Sequence, residues 1–112
     1  MSTDVFNEYR IMWLFVFFDL PTNTKSQRQA ASGFRNELLN DGFTMKQYSI
    51  YIRPCASKEV TATHIKRVED RTPEAGKVSI LKVTEKQVGN MVNILHAKQE
   101  VYTKKNKQLT FF

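Results

Sequence analysis

A chain of 112 residues with 41% hydrophobic side chains has room for one small domain and excludes a second independent core. Its 17 Lys and Arg outnumber its 11 Asp and Glu, so the net charge of +6 favours an anionic partner. Cys55 is the only cysteine, which excludes an intrachain disulfide and suits a reducing cytoplasm.

The first predicted element is a β-strand over residues 11–18, an unbroken apolar run that ends at Asp19. Because side chains alternate along a strand, Trp13, Phe15 and Phe17 point to one side of the sheet, and the other side is equally apolar. Both sides therefore require burial. Eight apolar residues are far too few to cross a bilayer, so we expect no membrane association.

A helix follows, capped by Asn23 or Thr24 and stopped by Gly42. The residues that recur at three- and four-residue steps on its apolar face are Ala30, Ala31, Phe34 and Leu38. This spacing predicts that the helix packs on the sheet through that face.

Residues 43–53 form an extended stretch, which predicts a hairpin that bends around Gln47 and Tyr48 and ends at Pro54. Ser57 caps a second predicted helix that reaches about Arg71. The apolar positions of this helix are Val60, Ile65 and Val68.

Two further strands are predicted, over residues 78–84 and 91–95. The resulting order, β-α-β-β-α-β with an added C-terminal β-strand, indicates an α+β, ferredoxin-like fold with both helices on one face of an antiparallel sheet. We expect residues 10–96 to form this domain, residues 1–9 a short N-terminal extension and residues 97–112 a basic tail.

The sheet face opposite the helices would be wet in a single copy, yet it carries Trp13, Phe15 and Phe17. Packing two copies face to face resolves this conflict, and three such rings contribute on the order of 6 kcal/mol toward association. We therefore predict a homodimer that forms through the sheet face. The alternative is a monomer whose exposed rings stack on bases.

Several short motifs follow one another along the chain in an order and spacing that match a known family. They are Phe18-Asp19-Leu20-Pro21, Arg28 with Phe34-Arg35, Asp41-Gly42-Phe43, Gln47-Tyr48-Ser49-Ile50-Tyr51, and Thr72-Pro73 with Gly76 before Val83-Thr84-Glu85-Lys86-Gln87. Over residues 10–96 the chain resembles the second universal family of CRISPR-associated proteins, and in particular its type II subgroup.

The resemblance implies a ferredoxin-like homodimer that acts in spacer acquisition, part of antiviral defence. Such a dimer bridges the integrase subunits and holds captured double-stranded DNA while the DNA ends are inserted into the repeat array. The resemblance also implies that Asp19 is a metal ligand, for Mg²⁺ or its substitute Mn²⁺, in those members that cleave nucleic acid.

Asp19 ends the first strand, and in a two-fold dimer its copy would lie close by. Two carboxylates together with waters can hold Mg²⁺ and support hydrolysis of a phosphodiester. The alternative is that Asp19 caps the following turn by accepting hydrogen bonds from backbone N–H groups near Pro21 and Thr22. The residue types alone leave both roles open.

Three polar groups near the hairpin bend are candidate supporting residues: Gln47, Ser49 and Tyr51. They would either contact phosphate and orient water, or stabilise the sheet through local hydrogen bonds. The candidate nucleic-acid-binding residues are Arg28, Arg35, Lys66, Arg67, Arg71 and Lys77. His64 has no partner at metal-ligand spacing, so we expect it to be an ordinary structural histidine.

Three hypotheses follow for the function. The first is a structural subunit of the integrase that binds duplex DNA without reading its sequence. The second is a magnesium-dependent endonuclease of RNA or DNA that acts through paired Asp19 side chains. The third is a toxin-like ribonuclease with the same fold, which would arrest growth in the absence of a CRISPR array.

Overall fold

The computed structural model describes residues 11–95, so the predicted terminal segments, 1–9 and 97–112, lie outside the described residues. The strands are β1 (Met12–Asp19), β2 (Thr44–Gln47), β3 (Ile50–Cys55) and β4 (Lys77–Thr84). The helices are α1 (Lys25–Asn40), α2 (Lys58–Arg71) and α3 (Glu85–Gly89). Across residues 11–95, no helix is long and apolar enough to cross a membrane.

The four strands form one sheet in the order β2-β3-β1-β4, and each neighbouring pair is antiparallel. This arrangement confirms the predicted α+β, ferredoxin-like fold. The strand β1 is central, as its apolar sequence predicts, and it pairs with β4 over its whole length, from Met12 opposite Thr84 to Asp19 opposite Lys77.

Helices α1 and α2 pack on the same face of the sheet. Leu14 and Val16 of β1 are fully buried beneath them, together with Phe34 of α1 and Val68 of α2. The ring of Phe18 meets that of Phe34 edge to face, with 5.2 Å between ring centroids. The core therefore lies between the helices and one face of the sheet.

The predicted helix ends are confirmed by their capping groups. Thr24 caps α1 in a capping box, since its side chain accepts from the Gln27 N–H while the Gln27 side chain accepts from the Thr24 N–H. Gly42 follows the helix with a φ of +92°, a backbone conformation that residues with a Cβ rarely adopt. Ser57 caps α2 through the backbone N–H of Val60.

Two of the three apolar positions predicted for α2 pack on the core, because Val68 is buried and Ile65 is partly buried against it, whereas Val60 is 36% exposed. The buried face of α2 also includes Thr61 and His64. Thr61 and His64 tolerate burial because each has a hydrogen-bond partner: the Ser57 carbonyl for Thr61 and the Asp41 carboxylate for His64. Apolar periodicity alone cannot find a face that is made partly of satisfied polar groups. On α1, Ala30 is likewise exposed rather than part of the packed face.

Pro54 does not end the hairpin, because β3 continues to Cys55. The strand β2 pairs with β3 only as far as Ile52, and Pro54 lies beyond that point. Because β2 does not extend as far as Pro54, the missing N–H of the proline costs no hydrogen bond to β2. The proline is therefore accommodated within the strand.

The predicted fifth strand over residues 91–95 does not form in the described part of the chain, where this segment is irregular. Thr84 and Gln87 instead make a capping box that starts α3 directly after β4, which takes the chain away from the edge of β4. The chain then reaches the opposite edge of the sheet, where the Lys46 ammonium of β2 donates to the Asn93 side chain at 2.9 Å.

Candidate functional site

The sheet face opposite the two long helices is apolar and only partly covered by its own chain. Across the sheet on this face, Ile52 and Leu81 flank Phe15. Phe15 is buried, whereas Trp13 and Phe17 are half-buried and Leu81 is 50% exposed. The sequence prediction of an uncovered apolar face therefore holds for part of this surface, and the remainder is covered by the chain that follows β4.

Two contacts show how that covering is made. The Trp13 indole N–H donates to the Glu85 carboxylate of α3, which holds this helix against the start of β1. Residues 91–95 then lie beside β2 and leave a groove of about 730 Å³ against the Phe15 and Phe17 rings. We call the surface of Trp13, Phe17 and Leu81 the open sheet face.

Asp19 is exposed at the end of β1. In the described part of the chain its side chain makes no hydrogen bond or ion pair, so the predicted turn-capping role is not seen there. Its direct cross-strand neighbour is Lys77, the first residue of β4. Directly opposite residues share a side of the sheet, so this carboxylate and this ammonium group belong to the same side as the open sheet face.

The turn that contains Gly76, before β4, packs against the backbone of Asp19. Gly76 has a φ of +104°, and a Cβ there would lie 2.9 Å from the Asp19 carbonyl oxygen and 2.7 Å from Cδ2 of Leu20. No side chain fits at these distances. Glycine at this position therefore allows the turn before β4 to close against the turn after β1.

The tip of the β2–β3 hairpin lies at the same end of the sheet as Asp19. There the Phe18 N–H donates to the Ser49 carbonyl at 3.1 Å. Gln47 is exposed at the end of β2, whereas Tyr51 is only 2% exposed and packs on Phe18. Burial raises the pKa of Tyr51 and favours a supporting role over direct contact with phosphate.

Arg35 joins α1 to this hairpin tip. Its guanidinium carbon lies 4.1 Å from the centroid of the Tyr48 ring and 5.5 Å from that of Phe18. The Arg35 Nε is buried and has no hydrogen-bond partner within residues 11–95. Arg35 is a candidate phosphate contact from its sequence, but its contact with Tyr48 joins positions 13 residues apart and leaves no local signal in the sequence.

The other candidate cations on the helices already make contacts within the chain. Arg28 donates to the carbonyl of Thr22 at 3.2 Å. Lys66 pairs with Asp70, Arg71 with Glu37 and Arg67 with Asp41, at distances of 2.8–3.2 Å. All of these cations lie on the helix layer, on the opposite side of the sheet from the open sheet face.

A second polar cluster, for which the sequence carries no local signal, joins α1 to α2. The Asp41 carboxylate is 2.7 Å from His64 Nδ1 and accepts from Arg67 at 2.8 Å, while the Asp41 carbonyl accepts from Arg53. Burial raises the pKa of Asp41, but the hydrogen bonds with His64 and Arg67 outweigh burial and hold it below its ordinary value. His64 is thus a buried structural partner.

The described residues allow a test of which groups could take part in metal or nucleophilic chemistry. Burial raises the pKa of the Cys55 thiol, which disfavours the reactive thiolate. No group of three His, Cys, Asp or Glu side chains converges anywhere in residues 11–95. Mg²⁺ commonly binds through one or two carboxylates while it keeps several waters, so exposed Asp19 fits this ion best when a second copy supplies another carboxylate.

Comparisons with known proteins give a consistent result. The family model described as CRISPR associated protein Cas2 matches residues 12–91. The chain is 49% identical to a CRISPR-associated endoribonuclease Cas2 of Flavobacterium psychrophilum, over 95% of this chain and 92% of the relative. It is 43% identical to a protein of the same name from Parvibaculum lavamentivorans, over 90% of this chain and the whole relative. A Streptococcus mutans protein of that name is 31% identical over 89% of this chain and 92% of the relative.

Proposed function

This chain belongs to the family of CRISPR-associated Cas2 proteins, and from that premise we propose that it is the dimeric, DNA-binding subunit of a spacer-acquisition integrase. It would hold captured double-stranded DNA and bridge the integrase subunits during insertion into the repeat array. The observation that carries this proposal is the open sheet face, an apolar surface on the side of the sheet that lacks the two long helices.

Packing two copies through the open sheet face would bury Trp13, Phe17 and Leu81 against their counterparts. Each fully buried apolar side chain contributes about 1.5–3 kcal/mol, part of which offsets the loss of freedom on association. A small domain gains more than a large one from such a partner, because it buries a smaller fraction of its own surface. The helix layers of both copies would then face outward.

An outward helix layer presents its cations over a long surface, which is what a duplex backbone requires. Lys66 and Arg71 are tied only to exposed or half-exposed acids, and such surface pairs are worth about 0–1 kcal/mol. They can therefore exchange a carboxylate for a phosphate at little cost. Arg67 differs, because it pairs with a buried carboxylate and would give up a stronger interaction by leaving it.

Two measurements test this function. The purified protein should bind duplexes of unrelated sequence with similar affinity, and that affinity should fall steeply with salt. Replacing Lys66 or Arg71 by Ala should lower the slope of log K against log salt by about 1 for each phosphate that the variant no longer neutralises. Lys86→Ala, on α3 and away from the helix layer, is the matched control and should leave the slope unchanged.

The second measurement is copurification with the cognate integrase subunit expressed from the same locus. We expect a complex that contains two copies of this chain. Failure to bind DNA at low salt, or failure to bind that subunit, would contradict the proposed scaffold role.

A metal-dependent endonuclease is the second candidate, supported by the exposed Asp19 carboxylate and by the name endoribonuclease that the relatives carry. When bound, Mg²⁺ would polarise the phosphodiester and neutralise its charge. Asp19 would hold the ion, and the neighbouring Lys77 would bind the phosphate from the same side of the sheet.

Asp19→Asn tests the endonuclease. It should abolish cleavage of RNA and DNA with Mg²⁺ or Mn²⁺ while DNA binding persists, because a neutral amide is a poor ligand for either ion. Cleavage that survives in this variant would indicate a contaminating nuclease. Growth arrest on expression without a CRISPR array would instead support the toxin-like ribonuclease.

A further inference from the structure

Tyr48 has an unusual position for a large aromatic side chain. It lies in the two-residue turn between β2 and β3, where Gln47 pairs with Ile50. Gly, Asn and Asp usually occupy such turns, because they adopt turn conformations easily and prefer water. The carbonyl of the next residue, Ser49, accepts a hydrogen bond from the Phe18 N–H of β1. Tyr48 therefore lies at the same end of the sheet as Asp19.

The Tyr48 ring is held in place but not buried. The residue is 69% exposed, and the Arg35 guanidinium lies over the ring at 4.1 Å. The Arg35 Nε has no hydrogen-bond partner in the described part of the chain. The main contacts of the Arg35 guanidinium are therefore the aromatic rings of Phe18 and Tyr48. The Arg35 cation therefore fixes one side of the ring and leaves most of its surface accessible to a ligand.

We propose that Tyr48 is a stacking site for an unpaired nucleobase at the Asp19 end of the sheet, an inference that rests on the proposed binding of nucleic acid. A planar ring backed by a cation offers a π surface to a base. Stacking on an aromatic ring tolerates any base, which agrees with binding that does not read sequence.

Bases inside a duplex have both faces covered by their neighbours, so the ring cannot stack on them. Tyr48 should therefore select single-stranded nucleic acid or an unpaired overhang, whereas the helix-layer cations contact paired and unpaired strands alike. This difference separates the stacking site from the general phosphate surface.

The test compares Tyr48→Ala, Tyr48→Phe and Met45→Ala with the wild-type protein. Met45 is 52% exposed on the same hairpin and serves as the matched control for removal of an exposed side chain. Affinity is measured for a single-stranded oligonucleotide and for a duplex of the same length at one salt concentration. A second probe places 2-aminopurine either in an overhang or inside the duplex, because its fluorescence falls on stacking.

We expect Tyr48→Ala to weaken single-strand binding about 5- to 100-fold and duplex binding less than about twofold. Tyr48→Phe and Met45→Ala should resemble the wild type. The 2-aminopurine signal in the overhang should be quenched by the wild type and by Tyr48→Phe but not by Tyr48→Ala.

Equal losses of affinity for single strand and duplex, or no loss for either, would overturn the stacking site. Normal single-strand binding with loss of the integrase subunit would also overturn it, because the ring would then contact a protein. A wild-type protein that binds no nucleic acid would instead refute the proposed function. The two failures are distinguishable. The stacking site alone is refuted only if the wild-type protein still binds nucleic acid.

Discussion

Two aspartates of this chain have opposite surroundings. Asp41, at the junction of α1 and α2, is almost fully buried, and both carboxylate oxygens have cationic or hydrogen-bonding partners. Asp19, at the end of β1, is exposed, and its carboxylate has no partner among residues 11–95. The fold thus uses one carboxylate to join its helices and leaves the other available for a ligand.

The largest expected effect that separates the two sites is on stability. Asp41→Asn should lower the free energy of unfolding by about 2–4 kcal/mol, because it leaves His64 and Arg67 without a charged partner next to the core. Asp19→Asn should change it by less than about 0.5 kcal/mol, since the substitution lies on the surface and breaks no hydrogen bond or ion pair within residues 11–95. Urea denaturation of both variants checks this, and equal losses of stability would show that the two aspartates do not differ as described.

A backbone substitution sharpens the comparison at the Asp19 site. Gly76→Ala should cost about 1–3 kcal/mol, because φ is positive and the new Cβ would lie against the Asp19 carbonyl oxygen. Gly33→Ala, in α1 with no heavy atom within 4 Å of the new Cβ, should stabilise by about 0.5–1 kcal/mol.

Gly42→Ala is the matched control for strain alone. It has a similar positive φ, but its Cβ would contact the Arg53 side chain, which can move. Amide chemical shifts of Asp19 and Leu20 should therefore change in Gly76→Ala and stay unchanged in Gly42→Ala. Unchanged shifts in both variants would show that Gly76 does not position Asp19.

A smaller effect is expected on the pH dependence of stability. The pKa of Asp41 in the folded protein lies below its ordinary value of 3.8, so its contribution is present above that pH. The contribution is lost as the pH falls from 3.8 through the lower folded-state pKa. Asp41→Asn should remove this part of the acid dependence, whereas Asp19→Asn should retain it. Identical acid profiles for Asp41→Asn and the wild type would refute the assigned role.

The sequence predicts what depends on local chemistry or on alternation along one element. Thr24, Ser57 and Gly42 mark the helix ends, and the apolar character of β1 on both sides identifies it as the central strand. The exposed carboxylate of Asp19 could also be anticipated, because the residue follows directly after the last apolar position of β1.

Contacts between distant positions could not be predicted in this way. His64 and Asp41 are 23 residues apart, and Arg35 and Tyr48 are 13 apart, so neither pair produces a periodic signal. The missing fifth strand has a local cause. The capping box at Thr84 starts a helix where the chain could otherwise stay extended after β4. The apolar and β-branched residues of 91–95 are compatible with a strand, but they do not require one.

Sedimentation equilibrium of two matched variants shows whether the open sheet face joins two copies of this chain. Leu81 and Leu39 are 50% and 48% exposed, so a lysine at either position disturbs the single chain equally little, but only Leu81 lies on the open sheet face. We expect a dimer at micromolar concentration for the wild type and for Leu39→Lys, and a monomer for Leu81→Lys. A monomeric wild type, or a Leu81→Lys variant that remains fully dimeric, would contradict dimerisation through this face.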